Sequence, residues 1–147
     1  MGTTTGRYVI DSHGPSAAGM KLGFAIARLL AERAGRNMVL MVPLKGHVTN
    51  GTLDPIIGRS QARVLSKGGW LKAEAGVKVR SESILTIRKS RVEEVVLAIY
   101  PDHDGFASID RLVEAAAVVM LPWLEKERDE WIQRCNPRVI AVERPPS

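Results

Sequence analysis

The chain has 147 residues, of which 45% are hydrophobic and 25% are charged, with 13 Gly, 8 Pro and a single Cys. These proportions are close to average globular usage and exclude disordered, collagen-like and disulfide-rich classes of protein. The net charge is +5, and most of the excess lies between Arg59 and Arg91, where nine Lys or Arg residues accompany two Glu residues.

A chain of this length is expected to form one domain. We predict a single domain over residues 1–147, with frayed ends at 1–6 and 144–147, because one core buries roughly two-thirds of the unfolded surface at this size. The first residues lack the basic and apolar regions of a secretory signal, and the apolar segment 17–34 carries too many charges for a membrane span. Cys135 has no partner for an internal disulfide. We therefore expect a cytoplasmic protein that does not enter membranes.

The first third of the chain predicts a strand, a helix and a second strand. Residues 7–11 form a short apolar run that ends in turn-forming residues. A helix is expected over 17–34, with Ser16 as its N-cap and Gly35 after its last turn. Residues 37–42 are continuously apolar, which is typical of a strand covered on both faces. The pattern is that of a βαβ unit with two parallel strands.

The middle of the chain is less regular. Residues 44–58 predict a long loop, and a short helix follows over 59–66. Two interpretations of the next segment stay open. Strands at 85–88 and 95–100 would have to pair antiparallel, because their link is too short for a crossover. A strand at 77–81 would allow a parallel arrangement through a short helix, and we favour this second interpretation.

The last third alternates clearly between strands and helices. It predicts strands at 95–100, 117–121 and 139–142, with helices at 108–116 and 123–135 between them. The whole pattern predicts an α/β fold, a small Rossmann-like or flavodoxin-like domain of three layers. We expect a mostly parallel sheet of five to six strands with helices on both faces.

Polar residues follow three of the predicted strands. In open α/β sheets, ligands bind beyond the carboxyl ends of the strands, at a point where the strand order reverses. All three histidines of the chain fall at this predicted edge. The residues concerned are Asp11, Ser12 and His13 after the first strand, Lys45 and His47 after the second, and Tyr100, Asp102, His103 and Asp104 after a later one.

The favoured hypothesis is a pocket for a phosphorylated small molecule or a nucleotide. Segment 14–19 precedes a helix, whose free N–H groups and positive dipole end attract anions. The segment does not match a Walker loop, because Met20 separates Gly19 from Lys21. The sequence identifies no cofactor. The predicted ligand-binding residues are Ser12, Gly14, Ser16, Lys21, Lys45, His47 and Tyr100.

An enzymatic interpretation stays open for the same edge. His13 and His103 could serve as acid or base of a hydrolase, oriented by Asp11 and Asp102, because histidine changes its charge near neutral pH. A divalent metal held by the run 102–104 together with His13 is a variant of this hypothesis. Adjacent residues of such a run point in different directions, so we assign no metal ligand.

The basic segment 59–91 supports a third hypothesis, an interaction module. A local excess of positive charge attracts anionic partners such as nucleic acid. Trp70 is the one aromatic residue placed to stack on a base within this segment. A protein partner is also compatible with it, and the sequence leaves open a homodimer formed through a sheet edge or through the helix at Trp123.

Overall fold

A computed structural model describes residues 6–12, 17–42, 58–87, 91–101, 108–109, 112 and 114–142. Within these residues, helices cover both faces of a seven-stranded sheet. The strands are β1 Gly6–Asp11, β2 Met38–Val42, β3 Leu71–Lys72, β4 Lys78–Ser83, β5 Val95–Ile99, β6 Ala117–Leu121 and β7 Arg138–Ala141. The helices are α1 Ala17–Ala34, α2 Arg59–Ser66, α3 Ile84–Ile87 and α4 Glu125–Cys135.

The strand order in the sheet is β3-β4-β2-β5-β6-β1-β7. All neighbouring strands are parallel except β3 and β4, which pair antiparallel. The predicted three-layer α/β fold, consistent with a small Rossmann-like or flavodoxin-like domain, is therefore confirmed. The sheet has one strand more than the predicted five to six, because β3 lies at its edge. With two residues, β3 is too short to show an alternating pattern in the sequence.

The three central strands owe their position to continuous apolar sequence. Strands β2, β5 and β6 are buried along their whole length. Side chains alternate between the two faces of a strand, so a strand covered on both faces must be apolar at every position. One face packs against α1 and α2, through Met20 and Leu65 among others, and the opposite face packs against Trp131 of α4.

Helix α1 lies directly on the centre of the sheet. It connects β1 to β2, but these strands are not neighbours, because β5 and β6 lie between them. The two strands of the predicted βαβ unit are therefore parallel, but two other strands separate them in the sheet. Apart from Met20, the buried residues of α1 are glycine or alanine. A Cβ atom added at Gly23 would lie 3.2 Å from Cδ1 of Leu97 and 3.5 Å from Cγ1 of Ile10.

The open question about the middle of the chain is resolved in favour of a parallel strand. Strand β4 pairs with β2 in parallel, and residues 84–87 form a helical turn rather than a strand. Ser83 starts this turn, since its Oγ accepts a hydrogen bond from Thr86 N–H at 3.1 Å. The Thr86 hydroxyl in turn accepts one from Ser83 N–H at 2.9 Å. The antiparallel alternative with a strand at 85–88 is wrong for this reason.

Two predicted helices differ from the structure. The helix predicted over 108–116 falls partly outside the described residues. Of the part that is described, Ser108 and Ile109 are helical and residues 114–116 are not. Helix α4 begins at Glu125 instead of Trp123. Leu124 N–H donates to a carboxylate oxygen of Glu127 at 2.9 Å, which satisfies a donor before the first turn. Trp123 therefore lies between strand and helix.

Among the described helices, none is long and apolar enough to cross a membrane.

Candidate ligand-binding edge

The connections after β1 and β6 leave the sheet on opposite sides. Strand β1 leads to α1, which packs on one face, whereas the neighbouring strand β6 leads to α4, which packs on the other face. In open parallel sheets such a reversal opens a crevice at the carboxyl ends of the two strands. We call this place the β6/β1 edge, formed by residues 11–12, residues 122–124 and the first turn of α1.

A second reversal occurs around β2. The helix after β2, α2, packs on the same face as α1, whereas the described residues after β4 and β5, Ile87 and Ile109, pack on the opposite face. The segments that directly follow β2 and β5, residues 43–57 and 102–107, lie outside the described residues. The β6/β1 edge is therefore the reversal whose side chains the structure describes on both sides.

Asp11 ends β1 and forms an ion pair with α4. Nη1 of Arg128 donates to Oδ1 of Asp11 at 2.8 Å. The same guanidinium contacts Glu125 and Asp129 on its own helix. Burial opposes the charge of Arg128, but the hydrogen bonds and charges of Asp129 and Asp11 outweigh it and raise the pKa of Arg128 above its ordinary value. The contact ties the start of α4 to the end of β1.

Ser12 follows Asp11 and is half-buried, with its hydroxyl oxygen shielded from solvent. Its Oγ is buried and has no hydrogen-bond partner within the part of the chain that the structure describes. Its N–H donates to the carbonyl of Ile10 at 2.8 Å. A buried polar group without a partner is rare in folded proteins and requires an explanation, such as a water, an ion or a ligand group that completes it.

Tyr100 follows β5 in an unusual backbone conformation. Its φ angle is 51°, in the left-handed region that residues other than glycine seldom adopt. Two contacts hold it there. Its N–H donates to the carbonyl of Leu121 at 2.9 Å, and its ring meets the ring of Trp123 edge to face, with centroids 4.8 Å apart and an angle of 74°. Its ring also packs on the core layer that contains α1.

The structure describes four of the eleven sequence-predicted site residues. The ends of β1 and β2 are three strand spacings apart in the sheet, which is about 14 Å. Asp11, Ser12 and Tyr100 lie at or beside the β6/β1 edge, and Lys21 is exposed on α1. The remaining predicted site residues lie outside the described residues. They are His13, Gly14, Ser16, Lys45, His47, Asp102 and His103.

Sequence reasoning missed Arg128 as a residue of this edge. Arg128 occupies the otherwise apolar stripe of the predicted last helix, together with Trp131, Ile132 and Cys135. A charged residue in a stripe that faces the sheet needs a partner there. The position of Arg128 in the stripe therefore indicates that it has a partner on the sheet. That the partner is Asp11 depends on the packing of α4 against β1, which the sequence does not show.

The residues of the enzymatic and metal hypotheses are only partly described. Asp11 is the described member of the proposed acid–base set, and it is paired with Arg128. Within the described ranges, no group of three or more His, Cys, Asp and Glu side chains is arranged to hold a metal ion. All three histidines, at positions 13, 47 and 103, fall outside those ranges.

The basic segment is partly neutralised by acidic neighbours. Arg80 contacts both Glu82 and Glu94, and these three side chains are each more than four-fifths buried. Arg91 donates to Glu114 at 2.6 Å, and this hydrogen bond is the main cause that raises the pKa of Arg91. The residues of this segment with exposed basic side chains include Arg63, Lys67, Lys72 and Lys78. The exposed ring of Trp70 lies over Arg80, with the guanidinium carbon 5.8 Å from the ring centroid.

The Asp11–Arg128 ion pair is expected to contribute modestly to stability. Half-exposed pairs of this kind are worth about 0.2–1 kcal/mol in double-mutant cycles, and salt weakens them. We expect a coupling in that range for Asp11→Asn and Arg128→Gln, measured by urea unfolding at low salt. Because the pKa of Arg128 is raised, its contribution is complete at every pH below the ordinary arginine value and is lost only as pH rises through the raised value.

The Arg28–Glu32 pair on α1 provides a reference for this cycle. It joins neighbouring turns of one helix at 3.4 Å, so it links no separate elements. Its coupling should be about 0.3–0.5 kcal/mol. A coupling of zero between Asp11 and Arg128 at low salt would show that the end of β1 and the start of α4 are not held together as described.

Comparisons with known proteins identify no family for the chain. No protein-family model matches it, and a search of curated proteins finds no similar sequence.

Proposed function

We propose that the protein binds a phosphorylated small molecule or a nucleotide at the β6/β1 edge. The observation that carries this proposal is the reversal of connections between two adjacent parallel strands, with α1 on one face and α4 on the other. Ligands of open α/β sheets bind at such reversals. The proposal assigns binding; the histidine-dependent hydrolase stays an alternative for the same edge.

The start of α1 supports an anionic ligand. The first turn of this helix contains no acidic residue that would neutralise its positive dipole end. Backbone N–H groups at a helix start bind phosphate oxygens. Gly19 and Met20 in this part of α1 are buried, and Met20 shares a core layer with Ile10 of β1. In this proposal the positive end of α1 and Ser12 line the same crevice.

The Ser12 hydroxyl supports the same location. It is a buried donor that finds no partner among the described residues, and a phosphate oxygen is an acceptor that would satisfy it. Asp11, in contrast, is already engaged by Arg128. In this proposal Asp11 and Arg128 fix the rim of the crevice, and Ser12 contacts the ligand.

Replacing Ser12 by alanine should separate binding from stability. In the free protein the change removes an unsatisfied buried hydroxyl, so the free energy of unfolding should stay equal or rise by up to about 1 kcal/mol. In the complex it removes a hydrogen bond to a charged group, and the affinity for ribose 5-phosphate should fall by roughly tenfold or more. The measurement is thermal unfolding with ribose 5-phosphate, with inorganic phosphate and with neutral ribose.

The wild-type protein and a second serine variant supply the controls. Ribose 5-phosphate at about 100 times its dissociation constant should raise the unfolding temperature of the wild type by about 5–10 °C, whereas ribose should not. Ser60→Ala changes an exposed serine on α2 and should leave the response intact. An equal response of the Ser12→Ala variant and the wild type would remove Ser12 from the site, and no response to any phosphate would contradict the proposed function.

A second candidate function is nucleic-acid binding through the basic segment 59–91. The exposed ring of Trp70, held over Arg80, favours it, because bases stack on such rings. The ion pairs of Arg80 and Arg91 weigh against it, since they reduce the charge available for phosphates. This function predicts oligonucleotide binding that weakens steeply between low and physiological salt. Binding that does not depend on salt, or its absence at low salt, would contradict it.

A further inference from the structure

We infer that the ligand of the β6/β1 edge carries an aromatic base, which stacks on Trp123. The inference rests on the proposed function and narrows it from phosphorylated compounds in general to nucleotides. It is carried by the contact between the rings of Tyr100 and Trp123 at the carboxyl ends of β5 and β6. Neither ring is needed to explain the binding of phosphate.

Trp123 is exposed although it is held in place. Its residue surface is 43% accessible, while Pro122 on one side of it is buried. The edge of one ring meets the face of the other at 74°, an arrangement that aromatic pairs favour. A large aromatic side chain that is both fixed and exposed presents a surface on which a second flat ring can stack without a large loss of side-chain entropy.

The backbone at Tyr100 shows that this arrangement has a cost. A left-handed conformation at a residue other than glycine is energetically unfavourable. Such conformations persist where the surrounding structure enforces them, and they concentrate at binding sites. Here the hydrogen bond from Tyr100 N–H to Leu121 and the contact with Trp123 enforce it. The result is an aromatic pair placed at the end of a central strand rather than inside the core.

The position of the pair fits a nucleotide better than a protein partner. Trp123 follows β6, and Ser12 follows β1, the neighbouring strand in the sheet. A nucleotide carries its base and its phosphate on one sugar, so two adjacent strand ends can contact one group each. The large apolar side chains exposed at this edge, among the described residues, are Trp123 and Leu124. Two side chains are too few for a stable protein interface.

The test compares ligands that lack either the base or the phosphate with one that carries both. AMP and ribose 5-phosphate share the phosphorylated sugar, and adenosine supplies the base without the phosphate. Base stacking on an aromatic side chain should make AMP bind at least about tenfold tighter than ribose 5-phosphate. AMP should also change the tryptophan fluorescence. Calorimetry gives the affinities and fluorescence reports the contact.

Substitution of Trp123 should remove the preference for the base alone. In Trp123→Leu the affinity for AMP should fall to that for ribose 5-phosphate, which should itself stay unchanged, and the fluorescence response to AMP should disappear. Trp70→Leu is the matched control, because Trp70 is similarly exposed but lies beside β3, an edge strand far from β6 and β1. This variant should keep both the preference for AMP and the fluorescence response. Trp123→Phe retains a ring and should keep part of the preference, which guards against a folding defect in the leucine variant.

Each outcome decides between the inference and the proposed function. Equal binding of AMP and ribose 5-phosphate by the wild type would overturn the inference and leave the proposed function in place. A preference for AMP that survives in a folded Trp123→Leu variant would also overturn the inference, because the base would then lie elsewhere. Failure of both phosphorylated compounds to bind would overturn the proposed function, and the inference with it.

Discussion

Replacing Trp131 by alanine is expected to lower the free energy of unfolding by about 3–5 kcal/mol, as for other fully buried aromatic residues. Trp131 is the largest buried side chain of α4 and is completely inaccessible to solvent. It packs on the face of the sheet opposite to α1, in a layer with Val9, Val118 and Met120. The Arg7 guanidinium carbon lies 5.6 Å from its ring centroid. The variant loses the ring contacts and leaves a cavity beneath α4.

Urea unfolding followed by circular dichroism measures this effect without relying on tryptophan fluorescence. Trp131→Phe is the control, because it keeps an aromatic ring in the layer and should lose clearly less stability than the alanine variant. Trp123→Ala changes an exposed tryptophan of the same region and should cost less still. A loss below about 1 kcal/mol for Trp131→Ala would contradict the packing of α4 on β1 and β6.

Gly23→Leu is the second change with a large expected effect. Helix α1 approaches the sheet so closely at Gly23 that even a Cβ atom would lie 3.2 Å from Leu97 and 3.5 Å from Ile10. Leucine adds three further carbon atoms in this space, so α1 must move away from β5 and β1. Overpacking of this kind costs typically 1–3 kcal/mol and occasionally more, and we expect a loss of about 3 kcal/mol.

Gly23→Ala separates the packing effect from the helix propensity of glycine. The added methyl meets the flexible end of Leu97, which can shift by a few tenths of an ångström. Alanine is favoured over glycine inside a helix by about 1 kcal/mol. Stability should therefore be unchanged or slightly higher, as measured by thermal unfolding. Tolerance of leucine at this position would show that α1 is not in direct contact with the centre of the sheet.

The sequence predicts the elements of this fold well where the pattern is long and apolar. Strand β6 and helices α1 and α2 have the predicted bounds, and β2 and β5 differ by one residue. What the sequence does not contain is the order of the strands. That β5 and β6 insert between β1 and β2 follows from the path of α1 across the sheet, which depends on contacts such as Gly23 with Leu97. Local patterns carry no information on such distant pairings.

For the candidate site, too, the sequence predicts the residues at strand ends but not the contacts between distant parts of the chain. Asp11, Ser12 and Tyr100 lie at the carboxyl ends of β1 and β5, as the strand pattern predicts, and their role in binding stays a prediction. Strands β5 and β6 lie between β1 and β2, and the residues that follow β2 lie outside the described residues, so their grouping with Asp11 and Ser12 stays a prediction. The contacts of Arg128 with Asp11 and of Trp123 with Tyr100 join residues far apart in sequence, so periodicity alone could not reveal them.

The most direct test of the account is a titration of ¹⁵N-labelled protein with AMP, followed by two-dimensional NMR. If the ligand binds at the β6/β1 edge, the largest shift changes will occur at the amides of Asp11, Ser12 and Ala17 and at the backbone and indole N–H of Trp123. Changes centred instead on Lys67, Trp70 and Lys72, or no change at millimolar AMP, would contradict a binding site at this edge.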